Sequence, residues 1–349
     1  MYLMNAWYVA GWSNEITKKP LGRTILDEPI VMYRGADGRA AALEDHCCHR
    51  GMPLSEGEVF DNAIRCEYHG MLFDASGRCI DIPGQKMIPA NARVRSFPLE
   101  ERDDLVWIWM GDPAKADPAQ IVDYPWHQRW PYKAKSEILK CNYLLASDNL
   151  LDQTHAAYVH KSTLSSNPDA YATAKMETTP TANGVRFIRW LLDCEPPKLY
   201  ASAVPFRGRV DRWGEFEYIA PSCILQFTGA VDVGIGAYES GNRDGGFGLR
   251  MFYGITPETE DTTWFFWSTA NGHRQNDPAA TEQLFRSIEE AFKEDDHVLE
   301  VQHAALRRLG DRRLINIASD VARVHARNAL ERKIAAERGI AREQVVTTV

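Results

Sequence analysis

The hydrophobic and polar positions of this chain fall into two textures. Over the first hundred residues the apolar runs are short and stop at turn pairs. Residues 30–34 and 40–44 flank Asp37-Gly38, which predicts a β-hairpin. Residues 66–73 and 78–82 are joined through Ser76-Gly77, and the β-prone run 105–109 (LVWIW) closes at Gly111-Asp112-Pro113. Residues 112–125 are polar and broken by Pro113, Pro118 and Pro125, which places a domain boundary there. Beyond it, 146–159 is rich in Leu and Ala and predicts a helix, while 185–192, 223–228, 249–255 and 263–269 predict strands. Residues 279–309 and 320–338 carry alternating charge over an apolar stripe and predict two helices. The expected organisation is a small all-β domain over 1–115 and a larger α+β domain over 116–349.

Composition narrows the function classes. A chain of 349 residues with 44% hydrophobic and 25% charged positions is that of a globular protein of about two domains. Its 40 basic and 48 acidic side chains leave a net charge of −8, without the basic footprint of a nucleic-acid or anionic-membrane binder. No apolar run reaches the 18 residues of a membrane span, and Met1 to Tyr8 hold neither a basic stretch nor a small-residue cleavage site. A cytoplasmic location is expected, where seven cysteines read as metal ligands or buried thiols before disulfides. Gly234-Ile235-Gly236 has Glu239 where a dinucleotide fingerprint needs its third glycine, and no phosphate-binding loop is present.

Two constellations carry chemistry. Cys47-Cys48-His49 and Cys66-Glu67-Tyr68-His69 each offer one thiolate and one imidazole beside a turn, with sixteen residues between His49 and Cys66. A structural zinc site also uses two cysteines and two histidines, but in zinc fingers the cysteines pair in one cluster and the histidines in the other. One of each per loop suits a two-iron centre in which one iron takes Cys47 and Cys66 and the other takes His49 and His69, the Rieske [2Fe–2S] arrangement. Cys48 is then a non-ligating loop thiol, and Cys79, Cys141, Cys194 and Cys223 are scattered inert thiols.

The second constellation is the polar face of residues 148–160. His155 and His160 are five apart, about 140° on an ideal helix, so the helix must end or distort between them for both to reach one ion. Taken alone, a core histidine and a capping histidine explain the pair. An iron–sulfur relay upstream needs an acceptor, however, and two histidines with one carboxylate on non-haem iron leave positions open for dioxygen. Asp152 on the same segment and Asp295 in the charged run Lys293-Glu294-Asp295-Asp296 are both candidates for that carboxylate.

On these residues the chain resembles the oxygenase components of Rieske non-haem iron oxygenases, of the single-subunit type that includes vanillate O-demethylase, dicamba monooxygenase and toluenesulfonate methyl-monooxygenase. The likeness also covers Asn5 to Ala10, Ile82-Pro83-Gly84-Gln85, Trp107 to Pro113, Asp148 to Asp152, Asp211-Arg212-Trp213 and Ile255 to Glu260. It implies a Rieske [2Fe–2S] β-domain followed by a catalytic domain with an antiparallel sheet flanked by helices. It further implies that His155, His160 and Asp295 hold a mononuclear Fe(II), with Asn149 close by. Asp152 would bridge His69 of one subunit to His155 of the next in a head-to-tail homotrimer, a ring that closes on itself. The implied reaction uses dioxygen, with electrons from a separate NAD(P)H-dependent reductase, directly or through a ferredoxin. It hydroxylates the methoxy or methyl group of a small aromatic acid. A ring cis-dihydroxylating dioxygenase and a plain electron carrier without catalytic iron are the competing readings. Gln226, Tyr253 and Arg286 match pocket positions of the dicamba enzyme, with different residue types. The planar fork of Arg286 would suit a carboxylate or sulfonate if it faces the pocket.

Overall fold

The computed structural model describes residues 1–161, 171, 174–310, 312 and 314–340. Its backbone divides into two compact units, Met1–Asp123 with Thr256–Glu260, and Tyr124–Ile255 with Asp261–Val349. Among the described residues no helix is long and apolar enough to cross a membrane.

The first unit is built from three small antiparallel sheets. β1 (Trp7–Trp12), β10 (Leu99–Arg102) and β11 (Leu105–Trp109) form one, in the order β1-β11-β10. β2 (Leu21–Ile25), β3 (Glu28–Arg34), β4 (Ala40–Glu44) and β9 (Ser96–Phe97) form a second. β5 (Glu58–Phe60), β6 (Ala63–Arg65), β7 (Leu72–Phe73) and β8 (Cys79–Asp81) form the third. The hairpin expected around Asp37-Gly38 is β3–β4, with Arg34 opposite Ala40 and Gly38 at φ 80°. The run expected as a strand from Cys66 begins as one only at Leu72, because residues 66–70 form a turn. Cys47, Cys66 and Cys79 share one buried cluster with Val31, Tyr33, Leu54 and Phe73.

The second unit is a seven-stranded antiparallel sheet in the order β12-β18-β17-β16-β15-β14-β13. Its strands are β12 (Tyr132–Leu139), β13 (Lys175–Pro180), β14 (Gly184–Cys194), β15 (Val210–Ile219), β16 (Cys223–Asp232), β17 (Phe247–Pro257) and β18 (Thr263–Asn271). The four strands expected from apolar runs are β14, β16, β17 and β18. β12 and β13 escaped because they are the polar edges of the sheet, where a charged strand resists pairing with other chains. β15 escaped because Asp211, Arg212, Glu215 and Glu217 interrupt it, although Asp211 and Arg212 are buried. The two tail helices are α-helices over Pro278–Leu309 and Val321–Glu337. Asp277 caps the first, accepting from the backbone N–H of Ala279 at 3.0 Å with proline in its first turn.

Candidate active site and metal centres

The two cysteine–histidine loops of the first unit are folded alike, although their sequences differ in spacing. In each, the N–H of the cysteine donates to the carbonyl five residues on: Cys47 to Met52 at 2.7 Å and Cys66 to Met71 at 2.8 Å. A glycine four residues on returns its N–H to the cysteine carbonyl: Gly51 to Cys47 at 2.9 Å and Gly70 to Cys66 at 3.0 Å. Both glycines lie at positive φ, 71° and 74°, where a side chain is strained. These turns bury both sulfurs, with Cys47 and Cys66 at 2% and 1% exposure, and leave His49 and His69 exposed with ring centroids 4.6 Å apart. Burial pushes the Cys47 thiol up to about 11, and neighbouring Cys66 adds to the rise. A bound cation reverses that balance by supplying the positive charge a thiolate needs. Two sulfurs inside and two imidazoles outside fit a two-iron cluster with unlike ends. Cys48 is exposed.

In the second unit the segment expected as one helix is broken. The helix Tyr143–Leu151 ends at Asp152, whose backbone is extended (φ −119°, ψ 104°). The Asp152 carboxylate accepts from the Thr154 N–H at 2.9 Å and its hydroxyl at 2.8 Å, a local bond that competes with helical pairing. A 3₁₀ turn over Gln153–His155 follows, then a four-residue helix, Ala156–Val159, that stops at His160. The distortion rotates both imidazoles toward Asp295 on the long helix. His155 Nε2 lies 3.6 Å from Asp295 Oδ1, and His160 Nε2 lies 3.2 Å from Oδ2. The three donor atoms all fall within 4.8 Å of one another. Asp152 is not part of this group.

Both rings are pinned through their other nitrogen. His155 Nδ1 bonds the Asp152 carbonyl, and His160 Nδ1 bonds Glu294 Oε2 at 2.9 Å. Metal-binding histidines are held in this way, with the far nitrogen fixed so that Nε2 points inward. Asn149 Nδ2 donates to Asp295 Oδ1 at 3.0 Å, and Ser319 donates to Asp152 Oδ2 at 3.2 Å. Burial holds His155 below the ordinary histidine range against the pull of Asp295. Burial opposes protonation of His160 too, but Asp295 and Glu294 outweigh it and the net shift is upward. Glu294 escaped sequence reasoning because a charged run ordinarily marks a solvated helix face; the signal was its place beside Asp295.

These residues open onto a pocket that encloses about 750 Å³ of space, the open solvent at its mouth included. Its walls include Leu199, Leu249, Met251 and Phe292. Gln226 and Tyr253 line it and are hydrogen-bonded to each other. Arg286 is not brought there. Its side chain is 72% exposed on the long helix and paired with Glu282, one turn away, at 2.7 Å. Arg212, from β15, lines the pocket instead.

Comparison with known proteins fits this geometry. The Rieske [2Fe-2S] domain family matches residues 6–98, and the vanillate O-demethylase oxygenase C-terminal domain family matches residues 139–336. A toluene-4-sulfonate monooxygenase system iron-sulfur subunit of Comamonas testosteroni is 38% identical over 343 residues, covering 97% of this chain and 99% of that protein. The crystal structure of dicamba monooxygenase bound to 3,6-dichlorosalicylic acid superposes with a TM-score of 0.89 at 33% identity, covering 97% of this chain and 99% of that one. Another crystal structure of dicamba monooxygenase, with non-haem iron and dicamba, gives 0.83 at 32% identity with the same coverage.

Proposed function

The chain belongs to the family of vanillate O-demethylase oxygenase components that carry a Rieske [2Fe–2S] domain, and on that premise we propose that it is the terminal oxygenase of a Rieske monooxygenase system. It hydroxylates the methoxy or methyl group of a small aromatic acid. The observation that carries the reading is the convergence of His155, His160 and Asp295 on one point beside a largely apolar pocket. An electron carrier needs neither the second metal centre nor the pocket.

Cys47, Cys66, His49 and His69 would hold the cluster, and His155, His160 and Asp295 the iron. When bound, these groups supply single electrons and the oxidising chemistry of dioxygen. The protein's own share is positional. Glu294 and the Asp152 carbonyl fix the two imidazoles, and Asn149 steadies Asp295. The apolar walls exclude water and leave the methyl or methoxy carbon facing the three donors. With one dioxygen, two electrons and two protons, a methoxy carbon takes one oxygen atom and the other leaves as water. The hemiacetal so formed releases formaldehyde and a phenol. An aryl methyl group gives the benzylic alcohol.

The chain holds no flavin or nicotinamide fingerprint, so its electrons come from a separate reductase, directly or through a ferredoxin. The protein works in the cytoplasm as a head-to-tail homotrimer, with Asp152 joining His69 of one copy to His155 of the next. Two measurements test the reading. Reconstituted protein should hold about three irons per chain, two in the cluster and one beyond it. A single turnover of reduced protein with vanillate, toluene-4-sulfonate and benzoate should yield formaldehyde or a benzylic alcohol. Two irons per chain would instead identify a carrier, and a cis-diol from benzoate a ring dioxygenase.

A further inference from the structure

We propose that Arg212 is the anion anchor of the pocket, holding the carboxylate or sulfonate of the substrate while its methyl or methoxy carbon faces His155, His160 and Asp295. The inference rests on the function proposed above and names the group that selects its substrate class.

Strand geometry places Arg212. Alternate residues of a strand share a face, so Arg212, Gly214 and Phe216 point to one side of β15. Opposite them in β16 stand Ala230, Thr228 and Gln226, and Thr228 and Gln226 in turn face Leu249 and Met251 of β17. Arg212, Thr228, Gln226, Leu249 and Met251 all line the cavity, so this sheet face is its floor. Among the described lining residues, Arg212 is the one arginine or lysine.

Between Arg212 and Phe216 on this face stands Gly214, where a Cβ would meet Phe216 Cε2 at 3.2 Å and lie 3.7 Å from Thr228 Oγ1 and 3.8 Å from Gln153 Oε1, the last two in lining residues. The Arg212 guanidinium packs over the Tyr200 ring with its carbon 5.0 Å from the centroid, and the residue is 8% exposed. An aromatic face orients the planar fork and keeps bulk water from it, conditions in which a charge-assisted bond to a carboxylate or sulfonate is strong. The floor is thus cationic at one position and apolar along β17, while the metal-binding donors come from the helical segments. An aromatic ring with an acid group at one end and a methyl or methoxy group at the other matches that division.

The test uses the iron-loaded full chain and four probes: 4-methoxybenzoate, toluene-4-sulfonate and their neutral counterparts 4-methoxybenzamide and toluene-4-sulfonamide. Binding is read by calorimetry and turnover by product. In Arg212→Gln the acid that wild type prefers should bind about 10–100-fold more weakly, the loss of a charge-assisted bond, with the amide changed less than about threefold. Arg212→Lys should recover part of the loss, and Arg286→Ala none of it should incur. The acid wild type binds more tightly identifies carboxylate or sulfonate as the natural group. Wild-type acid affinity in Arg212→Gln overturns the proposal, and so does an equal loss of acid and amide, which marks a structural role. If wild type binds and oxidises the acids while Arg212→Gln is unaffected, the anchor fails and the oxygenase reading stands. If wild type neither binds nor oxidises any probe, the aromatic-acid reading falls and the anchor with it.

Discussion

Glu294 offers the sharpest test of how the mononuclear site is built. Its Oε2 lies 2.9 Å from His160 Nδ1, on the far side of the ring from Asp295. A carboxylate there fixes the tautomer and makes the metal-facing nitrogen more basic. Losing such a partner typically costs 10–100-fold in metal affinity, or about 1.4–2.8 kcal/mol. The structure separates the two ends of that range. In Glu294→Gln the amide oxygen still accepts from Nδ1, so the bond survives and the charge does not. In Glu294→Ala both go, and His160, at 3% exposure, has little solvent to replace them. Glu294→Gln should therefore weaken Fe(II) binding about 10-fold and Glu294→Ala about 100-fold. Glu290, an exposed residue one turn earlier on the same helix, is the control: Glu290→Gln should leave affinity unchanged. The assay is anaerobic equilibrium dialysis against Fe(II), with visible absorption of the cluster reporting that the first unit is intact. Affinity within twofold of wild type in Glu294→Ala, with the cluster intact, would refute the reasoning.

Three further outcomes follow from particular contacts. Cys48 is exposed and Cys47 buried, so Cys48→Ser should keep the cluster spectrum while Cys47→Ser abolishes it; loss in both would reopen the ligand assignment. Asp296 is raised to about 6 by burial, with Glu137 and Asp295 adding to the rise. A carboxyl whose folded value lies above its unfolded one adds stability below the unfolded value, and that stability is lost as pH rises through about 6. In metal-free protein the unfolding free energy of Asp296→Asn relative to wild type, read from urea unfolding, should therefore climb between pH 4 and 7, by about 1 kcal/mol after allowing for solvent screening, and a difference independent of pH would contradict this. A Cβ at Gly229 would come within 2.2 Å of Trp213 Cζ2 and 2.6 Å of the Phe247 carbonyl, so Gly229→Ala should cost about 1–3 kcal/mol in urea unfolding; a neutral result would show that β15 and β17 can part to admit it.

Much of this molecule was legible in its sequence because the signals were local. Turn pairs closed β3–β4, apolar runs marked β14, β16, β17 and β18, and a thiolate–imidazole pair in each loop pointed to the cluster without any long-range information. The need for a broken helix was legible in the five-residue spacing, but that spacing puts the break between His155 and His160, whereas the structure puts it at Asp152, before both, because its carboxylate bonds Thr154. Tertiary structure decided what spacing cannot carry. The matching folds of the two cluster loops come from backbone hydrogen bonds to Met52 and Met71, which no motif spells out. Asp295 rather than Asp152 faces the two histidines because a helix begun at Asp277 passes the broken segment, and Asp152 spends its carboxylate on Thr154 and Ser319. The pocket's arginine is Arg212 because strand alternation turns it inward, whereas helix position turns Arg286 out to Glu282. A residue's chemistry is written in the chain, but which side of a strand or helix it occupies is set by what packs against that element. Sites joined from distant segments are therefore decided only when the chain folds.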